Sequence, residues 1–454
     1  MITSSSVTRP EPLLRRVAAN GGWWLAERFA LLGLTLVTSV VIVRALGPAQ
    51  YGELSYVLAL VGLLAPLAQF GVSGLVARAL LEKPGNDAAV LRAALLLRLA
   101  GCVVAFGIGL AWLVFFEGRP ADRWVVLVLL AAQFATSLQV AEFWFQVQFK
   151  AAALVPWRTA VLVLAALVKM IVAAVTRDPV AVACVFAIEY LALGAASLLA
   201  LRRAGGIWAR PGRSPDWLGW FARRSPWLLA SGLAEVIYLR IDIVLLERMR
   251  GVEEAGIYAV AARLSEVWYM VPVALMGALF PVLWSRRSDA AAYSRSLQGS
   301  LDALVAMSLT LAVLVQFIGG PLVELLFGAR FAASAPVLQI HIWAGVFIFM
   351  RALLSRWLLA EDLLRFSLVT HVTGAVMNVV LNLLLIPRYG AVGAAIATVI
   401  AYACAGWLAL FLSPRTRPMG WMMAKALALP FRFKALAAHA DVLRRQFGGT
   451  RDAR

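Results

Sequence analysis

Long apolar stretches alternate with short polar or Gly- and Pro-containing segments along almost the whole chain. A helix needs about 20 apolar residues to cross the hydrocarbon core of a bilayer. Most of the stretches reach this length, and only scattered charged residues interrupt them. The pattern predicts twelve membrane-spanning helices, over residues 22–46, 54–81, 91–116, 124–146, 155–175, 180–201, 225–247, 256–284, 297–318, 333–359, 366–387 and 391–413.

The composition agrees with a membrane protein and excludes several other classes. The chain has 454 residues, of which 62% are hydrophobic and 15% are charged. Soluble domains are roughly half apolar and about a quarter charged. A soluble enzyme, a receptor with a single membrane anchor and a nucleic-acid-binding protein are therefore excluded, although the formal net charge is +18. The predicted fold class is an all-α, polytopic membrane protein.

Lys and Arg residues are distributed unevenly between the two sides of the predicted helices. With the N-terminus inside, 26 of them fall on the cytoplasmic side and 8 on the outside, the residues at helix ends included. Cytoplasmic loops of membrane proteins are enriched in Lys and Arg. Both termini are therefore predicted to be cytoplasmic, and the high net charge follows from topology. The outside loops are short, which argues against an external catalytic domain.

A basic loop at residues 202–224 divides the predicted helices into two sets of six. The predicted organisation is a cytoplasmic N-terminal tail (1–21), an N-terminal six-helix bundle (22–201), this linker, a C-terminal six-helix bundle (225–413) and a basic amphipathic cytoplasmic tail (414–454). Each half contains an even number of spans, so both halves enter the membrane from the same side. This arrangement predicts two parallel halves with a substrate path between them.

A weak internal repeat supports the division into halves. A shift of 204 residues superposes residues near the outer end of the first span of each half: Arg44, Gly47 and Gly52 fall on Arg248, Gly251 and Gly256. In both halves an Arg closes the span, and two Gly residues five positions apart are predicted to shape the turn that follows.

Three stretches resemble a known family when they are taken in order on a twelve-helix chain. The first is the turn Val43-Arg44-Ala45-Leu46-Gly47-Pro48-Ala49-Gln50-Tyr51-Gly52. The second is Asp242 in helix 7, followed by Gly251, Gly256, Tyr258, Ala261 and Arg263. The third, across helices 11 and 12, consists of Asn378, Asn382, Ile386, Pro387, Gly390, Gly393, Ala394 and Ala395. The chain resembles the Wzx-type polysaccharide flippases of the MOP superfamily, which also contains the lipid II flippases and the MATE drug exporters.

The resemblance implies two six-helix bundles around a central cavity and transport by alternating access. The implied substrate is a polyprenyl-diphosphate-linked oligosaccharide, the repeat unit of an O-antigen, capsule or exopolysaccharide. It would pass from the inner to the outer leaflet of a bacterial inner membrane. The implied partners are membrane lipid, a glycan polymerase and the glycosyltransferases of the same pathway. A proton or a sodium ion is a candidate driver, and no other cofactor is expected.

Charged residues inside the predicted spans are candidates for function, because a charge in hydrocarbon costs at least about 2.5–3.5 kcal/mol. A diphosphate carries about two negative charges and accepts paired hydrogen bonds from a guanidinium group. The candidate substrate-binding cations are Arg28, Arg263 and Lys169, on helices 1, 8 and 5. The alternative is a structural ion pair, and Arg263 and Glu266 are suitably spaced on one helix for it.

The acidic residues within spans are candidates for a gate or for ion coupling. They are Glu27, Glu235, Asp242 and Glu266. Glu235 and Asp242 are seven residues apart and therefore share a face of helix 7. His371 fits a hydrogen-bonded packing residue better than a pH switch, and Asn378 and Asn382 fit bridges between helices.

Two other functions compete with the flippase interpretation. A MATE-like drug or metabolite antiporter shares the helix count, but its cationic cargo would favour an acidic cavity. A polytopic glycan polymerase or ligase would need a substantial outer loop for its chemistry. The sequence contains no Walker A motif and no metalloprotease-type His pair, so we predict a transporter with no catalytic residue and no metal site.

Overall fold

The computed structural model describes residues 13–82, 85–116, 120–204 and 216–432, and their side chains except at 13–30, 120–122, 278, 281 and 364. Within these ranges the chain is almost entirely helical. The α-helices there are α1 (Leu13–Gln69), α2 (Ser73–Glu82), α3 (Asp87–Phe115), α4 (Pro120–Thr136), α5 (Ala141–Val147), α6 (Ala151–Thr176), α7 (Pro179–Arg203), α8 (Trp217–Arg250), α9 (Val252–Glu266), α10 (Met270–Trp284), α11 (Ala290–Phe327), α12 (Ser334–His341), α13 (Ala344–Ala360), α14 (Leu364–Gly406) and α15 (Arg417–Leu427). Short 3₁₀ helices cover Ser137–Val140, Val267–Tyr269, Ala329–Phe331, Leu408–Leu412 and Leu429–Phe431.

Two of the helices are divided by a glycine whose backbone is not helical. Gly47 in α1 has φ 76° and ψ 176°, and Gly390 in α14 has φ 53° and ψ −135°. Glycine is suited to both positions because it carries no Cβ. The 57 residues of α1 would extend over roughly 85 Å if straight, far more than a hydrocarbon core of about 30 Å. Each kink therefore separates two membrane-spanning segments.

The described residues contain nine helical stretches that are long and apolar enough to cross a membrane. Two of these stretches contain the Gly47 and Gly390 kinks and divide into two segments each. Helix α8 is not among the nine, because Glu235, Arg240 and Asp242 lie in its middle. With α8 added, the segments match the twelve predicted spans, and the prediction of an all-α, polytopic membrane fold is confirmed.

Several predicted spans are interrupted inside rather than at their ends. The span 124–146 contains the 3₁₀ helix Ser137–Val140, and the span 256–284 contains Val267–Tyr269. The span 54–81 breaks at Phe70 and Gly71, which both have positive φ. Hydropathy does not predict these breaks, because it depends on which residues are apolar and not on the conformation of their backbone.

The chain forms two compact units. Unit 1 comprises the described parts of Met1–Ala45 and Leu64–Leu229, and unit 2 comprises Leu46–Leu63 and the described part of Ala230–Arg454. The boundary between the units therefore lies within α8, and the middle of α1 belongs to unit 2. The predicted division places it at the basic linker 202–224, of which residues 205–215 lie outside the described ranges.

The core of unit 1 brings together helix ends that are distant in sequence. Trp144 and Phe145 of α5, Leu201 of α7 and Trp217 and Phe221 of α8 are buried in one cluster with α2 and α3. Large aromatic side chains bury the most apolar area per residue, so they hold these short and terminal segments together.

The core of unit 2 includes part of the predicted C-terminal tail. Met419 and Met423 of α15 are buried against Leu301 of α11 and Met350 of α13. Trp421 and Lys425 point away from this contact and are exposed. Helix α15 is thus amphipathic and packs on unit 2, whereas residues 433–454 of the tail lie outside the described ranges.

Candidate functional site

An ion pair in unit 2 joins two of the charged residues found within the spans. Arg240 of α8 lies 3.2 Å from Glu266 of α9, measured between guanidinium nitrogen and carboxylate oxygen. Arg263, one turn before Glu266, is half-buried and forms no hydrogen bond or ion pair with any residue that the structure describes. The alternative pairing of Arg263 with Glu266 is therefore not formed.

The pairing of Glu266 with Arg240 leaves Arg263 without a carboxylate partner among the described residues. Arg240 reaches Glu266 from the neighbouring helix, so the charge of Glu266 is balanced by Arg240 and not by Arg263. A guanidinium group has five N–H donors in a fixed plane, and those of Arg263 are available to an anion.

A buried carboxylate lies on the same helix as Arg240. Asp242 is 1% exposed. One of its oxygens accepts hydrogen bonds from the hydroxyl groups of Tyr258 at 2.7 Å and Thr398 at 2.8 Å. Its other oxygen accepts from the amide nitrogen of Asn382, which also donates to Asn378 at 3.0 Å. The network connects α8, α9 and both segments of α14.

The oxygen atoms around Asp242 have the chemistry of a hard cation site. Carboxylate, amide and hydroxyl oxygens are the ligands that hard cations prefer. The side-chain oxygen of Asn382 is buried and has no hydrogen-bond partner among the described residues. In the described part of the chain, no three or more His, Cys, Asp or Glu residues lie together so that they could hold a metal ion. One carboxylate surrounded by neutral oxygens matches the charge of a proton or of a single monovalent cation.

Glu235 faces a different cation in unit 2. It is half-buried on α8 and forms no hydrogen bond or ion pair with the described residues. Arg351 of α13 attracts it electrostatically from beyond ion-pair distance. The guanidinium group of Arg351 is itself buried and donates to the carbonyl oxygen of Ala405 at 2.9 Å and the hydroxyl group of Thr370 at 3.2 Å.

His371 completes the surroundings of Arg351. Its Nε2 lies 2.6 Å from the guanidinium group, and its Nδ1 lies 3.2 Å from the hydroxyl oxygen of Tyr238. A guanidinium group only donates, so Nε2 accepts and the proton of the neutral imidazole is on Nδ1. A second proton would face the positive charge of Arg351. This geometry supports the interpretation of His371 as a hydrogen-bonded packing residue.

The other predicted cations differ from Arg263. Lys169 of α6 is buried in unit 1, where it forms an ion pair with Glu189 of α7 and lies 3.6 Å from the centroid of the Phe186 ring. The backbone of Glu27 and Arg28 lies in α1, but their side chains are outside the part of the chain that the structure describes. Of the three predicted cations, only Arg263 is described with its donors available.

A comparison with known protein families decides the family of this chain. A family model for "Polysaccharide biosynthesis protein" matches residues 17–286. The match covers more than half of the chain. The chain belongs to the polysaccharide biosynthesis protein family. The resemblance to the polysaccharide flippases of the MOP superfamily is thereby confirmed.

Curated relatives of this polysaccharide biosynthesis protein occur in an archaeon and a bacterium. It is 24% identical over 232 residues to the probable low-salt glycan biosynthesis flippase Agl15 of Haloferax volcanii, with 47% of this chain and 48% of that protein covered. It is 23% identical over 350 residues to the succinoglycan biosynthesis transport protein ExoT of Rhizobium meliloti, with 71% and 65% covered. The chain thus spans about half of the first relative and just under two thirds of the second.

Solved structures share the fold of the polysaccharide biosynthesis protein. The lipid II flippase MurJ in an inward closed conformation has a TM-score of 0.68 at 13% identity, covering 93% of this chain and 98% of that one. An inward-facing multidrug resistance MATE family transporter of the MOP superfamily has a TM-score of 0.64 at 15% identity, covering 88% and 95%. At this identity the likeness shows the fold alone, and it confirms a lipid II flippase- and MATE-like architecture.

Two cations of unit 2 that the structure shows to be engaged were not among the residues predicted from the sequence. Arg240 was not a candidate, although it is the residue that neutralises Glu266. Arg351 was not a candidate either, although it is buried and hydrogen-bonded to Ala405, Thr370 and His371. Both lie inside a predicted span, so the rule that selected Arg263 would also have selected them.

Proposed function

We propose that this polysaccharide biosynthesis protein flips a polyprenyl-diphosphate-linked oligosaccharide from the inner to the outer leaflet of a bacterial inner membrane. The oligosaccharide is the repeat unit of an O-antigen, capsule or exopolysaccharide. The protein acts by alternating access, as a transporter and not as an enzyme. The observation that carries the proposal is Arg263, a guanidinium group on a membrane-spanning helix with no hydrogen-bond or ion-pair partner among the described residues.

The diphosphate explains why a free guanidinium group is kept within a membrane helix. An unpaired charge is costly in hydrocarbon and is retained where it contacts a polar substrate or a wet cavity. The oxygens of a diphosphate accept two parallel hydrogen bonds from one guanidinium group. Arg263 would bind the diphosphate in this way, while the Arg240–Glu266 pair nearby stays neutral as a whole.

The relatives favour a glycan cargo over a drug. One is described as a probable glycan biosynthesis flippase and the other as a succinoglycan biosynthesis transport protein. A MATE-like antiporter is the alternative and shares only the fold. Unit 2 has a carboxylate without a partner among the described residues, Glu235, but it also has the guanidinium group of Arg263 in that state, which an exporter of cationic drugs would not need.

Arg28 and Lys169 have different places in the proposal. Arg28 remains a candidate substrate-binding cation, and its side chain lies outside the part of the chain that the structure describes. Lys169 is neutralised by Glu189, so it would bind an anion only in a state in which that pair is separated. Glu27 and Glu235 remain candidates for the gate, with Arg351 as the cation that attracts Glu235.

Asp242 is the proposed site of the coupling ion. Its carboxylate is buried beside the unpartnered oxygen of Asn382, so it would bind a proton or a sodium ion without a second acidic residue. The hydrogen bonds from Tyr258 and Thr398 link this site to α9 and to the second segment of α14. Binding and release of the ion would therefore change contacts among three helices.

The cellular setting follows from the same proposal. Both termini would be cytoplasmic, glycosyltransferases would supply the loaded lipid on the inner side, and a polymerase would consume it on the outer side. No nucleic acid takes part.

The test is transport by the purified full chain in liposomes. A fluorescent polyprenyl-diphosphate oligosaccharide is distributed over both leaflets, and a quencher that does not cross the membrane reports movement between them. The unaltered protein should speed this movement, and Arg263→Ala should abolish the increase. Arg388→Ala is the matched control, because Arg388 is an exposed cation on a predicted outer turn.

Two outcomes would contradict the proposal. The first is a protein that leaves the lipid-linked oligosaccharide in place but exports cationic dyes, which would favour the antiporter. The second is equal transport by Arg263→Ala and the unaltered protein at equal amounts in the membrane, which would remove Arg263 from the substrate site.

A further inference from the structure

Three cations of unit 1 lie over tryptophan rings at the end of the unit predicted to face the cytoplasm. Each belongs to a different segment of the chain. The pairs, with the distance from the cation to the ring centroid, are Lys150–Trp144 (4.8 Å), Arg203–Trp157 (4.5 Å) and Arg224–Trp220 (4.4 Å). We call the surface formed by these six residues the tryptophan–cation face.

The core of unit 1 holds the three pairs at one end of the unit. Trp144 and Leu154, on either side of Lys150, are buried in the same cluster as Leu201 and Phe221. Leu201 is two residues before Arg203, and Phe221 is three residues before Arg224. The positions of the cations are therefore fixed by buried neighbours rather than by flexible loops.

The cations of this face are not neutralised by carboxylates. Lys150, Arg203 and Arg224 are exposed and form no ion pair with any described residue. The nearby carboxylates accept hydrogen bonds from neutral groups, Asp87 from Trp144 and Gln148 and Asp216 from the backbone N–H of Gly219, and form no ion pair with these cations. The face therefore carries three cations that have no ion-pair partner among the described residues.

Apolar side chains are exposed beside these charges. The exposed fractions are 45% for Trp157, 59% for Trp227 and 44% for Leu218. Lys150 immediately precedes α6 and Arg203 ends α7. Arg224 lies within α8 but directly precedes the predicted span 225–247, so all three cations lie near the ends of predicted membrane spans. Tryptophan is enriched at this level of a membrane because its ring is apolar and its N–H group is polar.

We propose that the tryptophan–cation face binds the phosphate groups of anionic phospholipids in the surrounding bilayer. The N–H groups of Lys150, Arg203 and Arg224 would donate to phosphate oxygens, while the exposed tryptophan and leucine side chains contact the acyl chains. An acidic protein partner fits less well, because it would leave these apolar groups without a lipid environment. The proposal does not depend on which cargo is transported.

The expected affinity of the tryptophan–cation face for anionic phospholipid follows from its number of cations. A Lys or Arg residue near an anionic membrane surface is worth about 1 kcal/mol, roughly a fivefold change in affinity. Replacing all three cations should therefore weaken binding of anionic lipid by roughly a hundredfold. Replacing one should weaken it by roughly fivefold.

The experiment compares lipid binding by the purified full chain and two variants. One variant carries Lys150→Gln, Arg203→Gln and Arg224→Gln together. The matched control is Arg287→Gln, since Arg287 lies 4.3 Å from the centroid of the Trp284 ring but is already paired with Glu361 at 3.0 Å. Each protein, in nanodiscs of phosphatidylcholine, is titrated with phosphatidylglycerol, and the lipids retained and the melting temperature are measured.

Phosphatidylglycerol should be retained by the unaltered protein and by the Arg287→Gln control, and should raise their melting temperatures relative to phosphatidylcholine alone. The triple variant should fold normally in phosphatidylcholine and lose both effects. Equal effects of the two lipids, or a triple variant that retains phosphatidylglycerol like the control, would overturn the proposal. A loss of the same size in the control would also overturn it, because the effect would then be one of general surface charge.

Discussion

Gly52 and Gly256 lie against each other in unit 2, although 204 positions separate them in the sequence. A Cβ atom on Gly52 would lie 2.8 Å from the backbone nitrogen of Gly256, and one on Gly256 would lie 3.0 Å from the nitrogen of Gly52. These are the glycines that the internal repeat superposes. The turns before them also agree, since Gly47 has φ 76° and Gly251 has φ 94°. The repeated turns, after Gly47 and Gly251, thus share a backbone conformation and meet at Gly52 and Gly256.

Substitution of either glycine should destabilise unit 2. In Gly256→Ala the added methyl group would meet backbone atoms of α1, which cannot move aside as a flexible side chain can. Overpacking of this kind typically costs about 1–3 kcal/mol, so we expect a lower melting temperature in detergent and less protein in the membrane. Gly62→Ala is the control, because nothing lies within 4 Å of its Cβ position. Equal stability of the two variants would contradict the close approach.

The charged residues of α8 and α9 should separate into a functional and a structural set. Arg263→Ala should lose transport at near-normal abundance, and Arg263→Lys should retain part of it, because lysine keeps the charge but not the planar fork. Arg240→Ala should reduce abundance, since it leaves Glu266 unpaired. Breaking a fully buried ion pair lowers the free energy of unfolding by roughly 3–5 kcal/mol. The loss in Arg240→Ala should be smaller, because the Arg240 side chain is 37% exposed.

The double variant Arg240→Ala with Glu266→Ala decides this assignment. It should recover abundance, because neither partner is left with an uncompensated charge. Abundance is measured by quantitative blotting of membranes, and transport by the liposome assay. If Arg263→Ala is depleted as strongly as Arg240→Ala, then Arg263 is a structural residue and the proposed substrate contact is wrong.

Asp242→Asn should remove the dependence of transport on an ion gradient while the protein stays folded. The amide has the shape of the carboxylate, and the hydroxyl groups of Tyr258 and Thr398 can rotate to accept its N–H groups. Transport is measured with sodium or proton gradients of either sign. Asp302→Asn is the control, since Asp302 is a buried carboxylate of unit 2 that accepts a hydrogen bond from Gln298 at 2.7 Å. Gradient-driven transport by Asp242→Asn equal to that of the control would refute the coupling role.

Reporter fusions should place the loops on opposite sides of the membrane. Cytoplasmic reporters after Arg203, Ser288 and Phe447 should be active, because most of the Lys and Arg residues lie on that side. Periplasmic reporters after Arg119, Glu253 and Arg388 should be active as well. An active periplasmic reporter after Phe447 would mean an odd number of spans and would exclude two halves that enter from the same side.

The spans and the outer turn glycines were predictable because they depend on local properties of the chain. Hydropathy gives the apolar stretches, and the repeat singles out Gly47 and Gly251. The partner of Glu266 was not predictable, because helix spacing favours Arg263 on the same helix and only packing brings Arg240 across from α8. The neutralisation of Lys169 by Glu189 depends in the same way on how α6 packs against α7.

The assignment of Leu46–Leu63 to unit 2 has a consequence for biosynthesis. The ribosome makes this segment early, but its packing partners from Ala230 onward are made last. The segment therefore enters the membrane before the glycine surface of α9 exists, and unit 2 can close only when nearly the whole chain has been inserted. A chain truncated after the linker would contain Leu46–Leu63 without the rest of unit 2. For the same reason, cutting the protein at 205–215 would not give two fragments that each fold alone.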